Sequence, residues 1–223
     1  MAAHLLAFAD ALGLTQIDLL GFSLGGMVAQ QVALGLTQID LLGFSLGGMV
    51  AQKVALDRPS LVRKMLLVGT APAGGEDIMH LEKPELRRIL EDPSLSGPQI
   101  LVRLFFTPSE SSQAAGQAFV TRLAARTQDR EPVSGPKVAQ AQIAAFRAWE
   151  RVDVERFGEL RRITQPCLVV NGMLDTMIPV RNSYLLAEHL PNAMLLIYPD
   201  AGHGSLFQFH DSFVRHATLF LDS

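Results

Sequence analysis

The pentapeptide Gly43-Phe-Ser45-Leu-Gly47 lies between a short apolar run and an apolar helical pattern, the context of a nucleophile elbow. Such a turn holds serine in a strained conformation, and the glycine two residues to either side lets strand and helix backbones pass closely. The hydroxyl then projects beside a helix N-terminus, where free N–H groups, that of Leu46 first, favour developing negative charge. The plainer alternative is a glycine-rich turn in which Ser45 only caps the helix. A serine hydroxyl is a weak nucleophile until a base is within reach, and the base needs a carboxylate to set its tautomer. Asp175, in Asn171-Gly-Met-Leu-Asp175, and His203, in Pro199-Asp-Ala-Gly-His203, follow Ser45 in that order. Each sits in a loop after an apolar run, so a parallel sheet delivers both to the edge that carries Ser45.

Competing readings attach to both partners: Asp175 as an ordinary turn residue, His203 as a solvated loop histidine. Asp200 is a rival acid, but Pro199-Asp200-Ala-Gly is already satisfactory as a turn, and Asp200→Asn is expected to leave activity nearly intact. His4, His80, His189, His210 and His216 fall in predicted helices and read as structural. Cys167 opens an apolar strand and reads as core.

Positioning these side chains requires strands, tight turns and helices in alternation. Residues 11–32 recur as residues 33–54, with Gln31 against Lys53 as the one difference. Each copy reads as strand (Ile17 to Leu20; Ile39 to Leu42), turn, then helix, and the pair is a local duplication because solenoids need about three or more degenerate repeats. The second helix ends at Asp57-Arg58-Pro59 and a buried strand follows around Lys64 to Val68. Further strands are expected at Cys167 to Asn171 and Met194 to Tyr198, with helices around Ser183 to Leu190 and Ser205 to Leu221. Right-handed strand-helix-strand units of this kind form a mostly parallel sheet covered by helices on both faces, an α/β fold. Between Ala73 and Thr164 the pattern is helical with breaker-rich joints such as Ser96-Gly-Pro98 and Thr107-Pro108. The expected organisation is a core of residues 1–72 and 164–223 interrupted by a helical cap at 73–163.

Through Asp40 to Gln52, Asn171 to Asp175 and Asp200-Ala-Gly-His-Gly204, the chain from about residue 33 onward resembles the α/β-hydrolase superfamily. The likeness is to its small cap-bearing members, related to cofactor-free haloperoxidases, esterases, enol-lactonases and carbon-carbon bond hydrolases. That resemblance implies Ser45 as nucleophile, Asp175 as acid, His203 as base, and no cofactor. Serine at the elbow argues against the relatives that use aspartate there, dehalogenases and epoxide hydrolases. The implied reaction is hydrolysis of small esters, lactones or related activated carbonyls through an acyl-enzyme.

The family pattern has several strands before the elbow, one followed by a loop that donates the second oxyanion N–H. Here almost nothing precedes the first copy, so an N-terminally truncated member is expected and Leu46 alone can be assigned as donor. Loss of one such donor costs about 10²–10³ in rate, which keeps a catalytically impaired scaffold or ligand-binding protein as the alternative. The first copy carries its own elbow, Gly21-Phe-Ser23-Leu-Gly25, but Ser45 leads directly into the rest of the fold and Ser23 does not. If the two copies pair in parallel, the turn at Phe22-Ser23-Leu24 emerges beside Ser45, and an amide such as that of Phe22 replaces the lost donor; the plainer reading is that the copy fills space. Met79, Phe119 and especially Phe105, Phe106, Phe146 and Trp149, with Phe44 from the elbow, are candidates for a substrate pocket, although such residues are more often core.

With 19 Lys+Arg against 22 Asp+Glu, a net charge of −3 and dispersed basic residues, the chain lacks an electrostatic footprint for nucleic acid or an anionic bilayer. No apolar run reaches the ~18 residues of a membrane span. The opening residues Met1 to Gly13 read as a core-packing helix without the basic start of a secretory signal. One cysteine allows neither an internal disulfide nor a thiolate zinc cluster, so no metal and a cytoplasmic location are expected. The expected partner is a small-molecule substrate. A homo-oligomer is expected too, because Ile17 to Leu20 form an apolar strand with no upstream neighbour to cover its edge.

Overall fold

The computed structural model describes residues 16–22, 38–125, 127–128, 135–151 and 155–223. The expected helix at Met1 to Gly13, the first-copy turn and helix with Ser23 and Leu24, and His4 lie outside the described residues.

Strands β1 (Gln16–Phe22) and β2 (Gln38–Phe44) are followed by α1 (Leu46–Asp57) and β3 (Val62–Val68). Next come α2 (Pro84–Leu90), α3 (Gly97–Phe105), α4 (Glu110–Ala125) and α5 (Pro136–Glu150). The chain then runs through β4 (Cys167–Gly172), α6 (Arg181–His189), β5 (Ala193–Tyr198), α7 (Ser205–Gln208) and α8 (His210–Asp222). The five strands form one parallel sheet in the order β1-β2-β3-β4-β5.

The sheet is parallel because every strand-to-strand connection is long enough to return across a face, and its central strands are apolar on both sides. In β3, Met65 and Leu67 belong to a core with Ile39, Leu41, Val54 and Ala55, whereas the intervening Leu66 and Val68 face a second core with Phe105, Leu168 and Phe213. That alternation is the two-residue period of a strand. The first core is covered by α1 and α6, the second by α3, α4, α7 and α8. A smaller cluster of Leu46, Met49, Ala71, Ile78, Phe146 and Ile178 closes the carboxyl end of the sheet.

Two polar side chains on β3 anchor the last helix. Lys64 is buried and its Nζ donates to the carbonyls of Phe220 at 2.8 Å and Leu221 at 3.2 Å, supplying a cation at the C-terminus of α8. Arg63 pairs with the buried Asp40 on β2 and reaches the Leu221 carbonyl at 3.2 Å.

The two copies of the duplicated strand lie side by side in parallel and in register, from Gln16 opposite Gln38 to Phe22 opposite Phe44. Three local expectations need correction. The final helix is split into α7 and α8 at Phe209, whose backbone leaves helical geometry between them. His80 lies in a loop before α2 and not in a helix. Residues 73–83 form turns, with Asp77 and Met79 at positive φ, so the helical segment begins only at Pro84.

Candidate active site

Ser45 follows β2 and precedes α1 with φ 57° and ψ −124°, a conformation that crowds Cβ in an L-residue. Its side chain makes no capping hydrogen bond to the helix, so the reading of Ser45 as a mere N-cap does not describe this turn. The strain is offset by bonds from the end of β3. The Ser45 amide donates to the Val68 carbonyl at 2.9 Å, and the Ser45 carbonyl accepts from the Thr70 hydroxyl at 2.7 Å and the Gly48 amide at 3.0 Å. Gly43 is required by space: a Cβ there would sit 2.4 Å from the Gly47 carbonyl oxygen, backbone that cannot step aside. Leu46 opens α1, where the first amides have no intrahelical acceptor.

Asp175 and His203 come together as buried partners, Nδ1 of His203 lying 2.8 Å from Oδ2 of Asp175. The other oxygen of Asp175 accepts from the amides of Met177 and Ile178, both at 2.9 Å, so a tight turn after β4 fixes the carboxylate. Asp175 is thus a turn residue and a partner of His203 at once, and His203 is not a solvated loop histidine: both groups are withdrawn from water and bonded to each other.

The His203 ring packs among aromatic side chains. Its ring centroid is 4.8 Å from that of Phe44, the residue before Ser45, and 5.3 Å edge-on from that of Phe105. Gly69, at φ +53° just after β3, leaves the space for this, since a Cβ there would meet Phe44 at 3.1 Å and His203 at 3.4 Å.

The aromatic pocket candidates divide in a way that spacing did not reveal. Phe44 and Phe105 pack against His203, and Phe146 is buried with Leu46 and Ile178, so these three are walls of the core and not open pocket surface. Phe106 borders a cavity of about 420 Å³ with Leu174, Thr176 and Gly202, which flank Asp175 and His203. Trp149 borders one of about 350 Å³ with Leu46 and Met49, and its indole N–H donates to the Ala71 carbonyl at 3.0 Å. Of the oxyanion candidates, Leu46 is the first residue of α1, Phe22 ends β1 level with Phe44, and the Ser23 elbow lies outside the described residues.

Sequence reasoning missed Thr70 and the turn amides of Met177 and Ile178. The only signal for Thr70 is its place just after β3, beside the strand that ends at the elbow. It also missed what holds Asp200. That carboxylate accepts from the hydroxyls of Thr107 and Ser109, each at 2.6 Å, and of Ser111 at 3.1 Å, whereas the carboxylate bonded to His203 is that of Asp175. The hydroxyl-dense run Thr107-Pro-Ser-Glu-Ser-Ser112 was the available sign. The Ser109 and Thr107 hydroxyls pull the Asp200 carboxyl below the ordinary 3.8, because they stabilise its ionised form. Burial pushes the Cys167 thiol up to about 12, consistent with core and not with a nucleophile. Among the described residues no cluster of His, Cys, Asp or Glu could hold a metal ion, and no described helix is long and apolar enough to cross a membrane.

A family model described as alpha/beta hydrolase fold matches residues 31–209, taking in the second elbow and leaving out the first. Among solved structures, an alpha/beta hydrolase fold protein from Chitinophaga pinensis is 36% identical with a TM-score of 0.79, over 89% of this chain and 71% of that one. The pimeloyl-[acyl-carrier protein] methyl ester esterase of Nitrosomonas europaea is 28% identical over 71% of this chain and 62% of its own length. The 2-hydroxymuconate semialdehyde hydrolase of Pseudomonas putida is 26% identical over 98% of this chain and 66% of its own length. The chain thus spans about two thirds of the length of the curated relatives it matches.

Proposed function

Because the chain belongs to the alpha/beta hydrolase fold family, we propose that it is a serine hydrolase acting on small esters, lactones or related activated carbonyl compounds through Ser45, His203 and Asp175. The observation that carries this reading is the buried His203–Asp175 bond of 2.8 Å at the sheet edge where Ser45 is held at positive φ. The relatives' names, an ester hydrolase and a semialdehyde hydrolase, support a carbonyl substrate.

In the reaction, Asp175 holds Nδ1–H of His203, leaving Nε2 unprotonated as the base. Nε2 takes the proton of the Ser45 hydroxyl as its oxygen attacks the carbonyl carbon, and the tetrahedral oxyanion is stabilised by the Leu46 amide at the N-terminus of α1. Collapse expels the leaving group, which receives the proton from His203. Water activated by the same imidazole then releases the acid and restores Ser45. Phe22 lies level with Phe44 on the neighbouring strand, which supports an amide at the end of β1 as second oxyanion donor. In this reading α2 to α5 are the cap over the site, and the protein is cytoplasmic.

Hydrolysis of a short p-nitrophenyl ester series, together with covalent labelling by a fluorophosphonate probe, tests the proposal. Ser45→Ala is expected to abolish both, and Ser23→Ala to leave both nearly unchanged. Turnover that survives Ser45→Ala overturns the assignment.

A further inference from the structure

We propose that Asp200 is a positioning residue for His203: it clasps the loop that bears the histidine to the joint between α3 and α4. The inference rests on the reading of His203 as the base.

The loop is gripped on both sides of His203. Before it, the Asp200 carboxylate accepts from Thr107 and Ser109 at 2.6 Å and from Ser111 at 3.1 Å. After it, the Gly204 amide donates to the Phe105 carbonyl at 2.8 Å. Between the two anchors, Gly202 lies so close to the Phe105 carbonyl oxygen that a Cβ would approach it to 2.8 Å. Other hydrogen bonds close the contact into a ring. Gln208 donates to the Asp200 carbonyl at 2.7 Å and accepts from Ser112 at 2.7 Å, and the Ser112 hydroxyl in turn accepts from the Thr107 amide at 2.8 Å.

Asp200 stands at φ 48°, a left-handed conformation that its side-chain bonds help to hold. The hydrogen bonds from Ser109 and Thr107 stabilise the ionised carboxylate and so lower its pKa. Since the Phe105 ring also packs edge-on against His203, a shift of the α3–α4 joint is transmitted to the imidazole along two routes, the loop backbone and the ring contact. Asp200 touches no reacting atom. Its effect reaches the chemistry only through where His203 sits.

The test compares the full chain with Asp200→Ala, Asp200→Asn and the double variant Thr107→Val/Ser109→Ala. The measurements are p-nitrophenyl ester kinetics and solvent exchange of the His203 Nδ1 proton by NMR. Asp200→Ala is expected to lower kcat about tenfold, leave KM within about twofold, and speed proton exchange about tenfold, because a displaced base loses near-attack geometry. Asn keeps one acceptor oxygen, and its NH₂ can donate to hydroxyls that rotate, so Asp200→Asn should restore most of the rate and the slow exchange. Wild-type kcat and exchange in both Asp200→Ala and the double variant overturn the proposal. If Asp200→Ala does not fold, the double variant decides alone. If the wild-type chain hydrolyses no ester, the catalytic reading fails, while proton exchange, which needs no substrate, still decides the clasp.

Discussion

Oδ2 of Asp175 lies 2.8 Å from Nδ1 of His203 while Oδ1 is held by the amides of Met177 and Ile178, so the carboxylate cannot rotate without losing two hydrogen bonds. The consequence is sharp for Asp175→Asn. The amide oxygen takes the Oδ1 position, because only an acceptor satisfies the two N–H groups, and the NH₂ then faces Nδ1. His203 is forced into the tautomer that carries its proton on Nε2, where it cannot accept one from serine. We expect kcat to fall by about 10³–10⁴ with little change in stability, the magnitude typical of a base locked in the wrong tautomer. Steady-state kinetics alongside thermal unfolding checks this, and a loss below tenfold contradicts the pairing.

The backbone of Ser45 at φ 57° stores strain that glycine would not feel. Ser45→Gly is expected to unfold at a higher temperature than Ser45→Ala, by an amount corresponding to about 1 kcal/mol, although both variants are inactive. Calorimetry of the pair isolates the elbow strain from the chemistry. Equal melting temperatures would contradict the stored strain, since the backbone bonds to Val68 and Thr70 are the same in both variants.

His80 links two carboxylates, with Nδ1 2.7 Å from Glu82 and Nε2 2.8 Å from Glu150. At Glu150 burial alone raises the carboxyl pKa, but the hydrogen bonds from His80 and the Ile78 amide, with the charges of His80 and Arg147, outweigh it and leave the group below the ordinary 4.5. A depressed folded-state value means stability that is present above 4.5 and lost as pH falls through the folded value. Wild type should therefore melt above Glu150→Gln near neutrality, and the gap should narrow below pH 4.5. A gap that stays constant under acid contradicts the linkage.

Cys167, fully buried in the first core and with its thiol pushed up to about 12, has neither access nor thiolate at neutral pH. Native protein should not react with a thiol-selective reagent over hours and should react promptly once denatured. Rapid native labelling would place the side chain outside the core.

The sequence by itself determined what is local. Gly43-Phe-Ser45-Leu-Gly47 specifies a strand-turn-helix because small residues are needed within that one turn, and the unbroken apolar run Met65 to Val68 marks a strand buried on both faces. The chain order of Ser45, Asp175 and His203 was legible for the same reason: each follows its own strand, and parallel strands share a carboxyl edge. Tertiary structure alone decided what those loops touch. Asp175 and Asp200 are both acids in loops after strands, yet only one is turned toward His203 while the other meets hydroxyls nearly a hundred residues away. Likewise Phe44, Phe105 and Phe146 share a type with pocket-lining residues, but packing assigns them to core walls. Lys64, buried within a strand of the core, is explained only by the carbonyls at the end of α8. Side-chain identity sets which bonds a residue can form; its partner depends on which elements the sheet brings within about 3 Å, and that distance is a property of the whole fold.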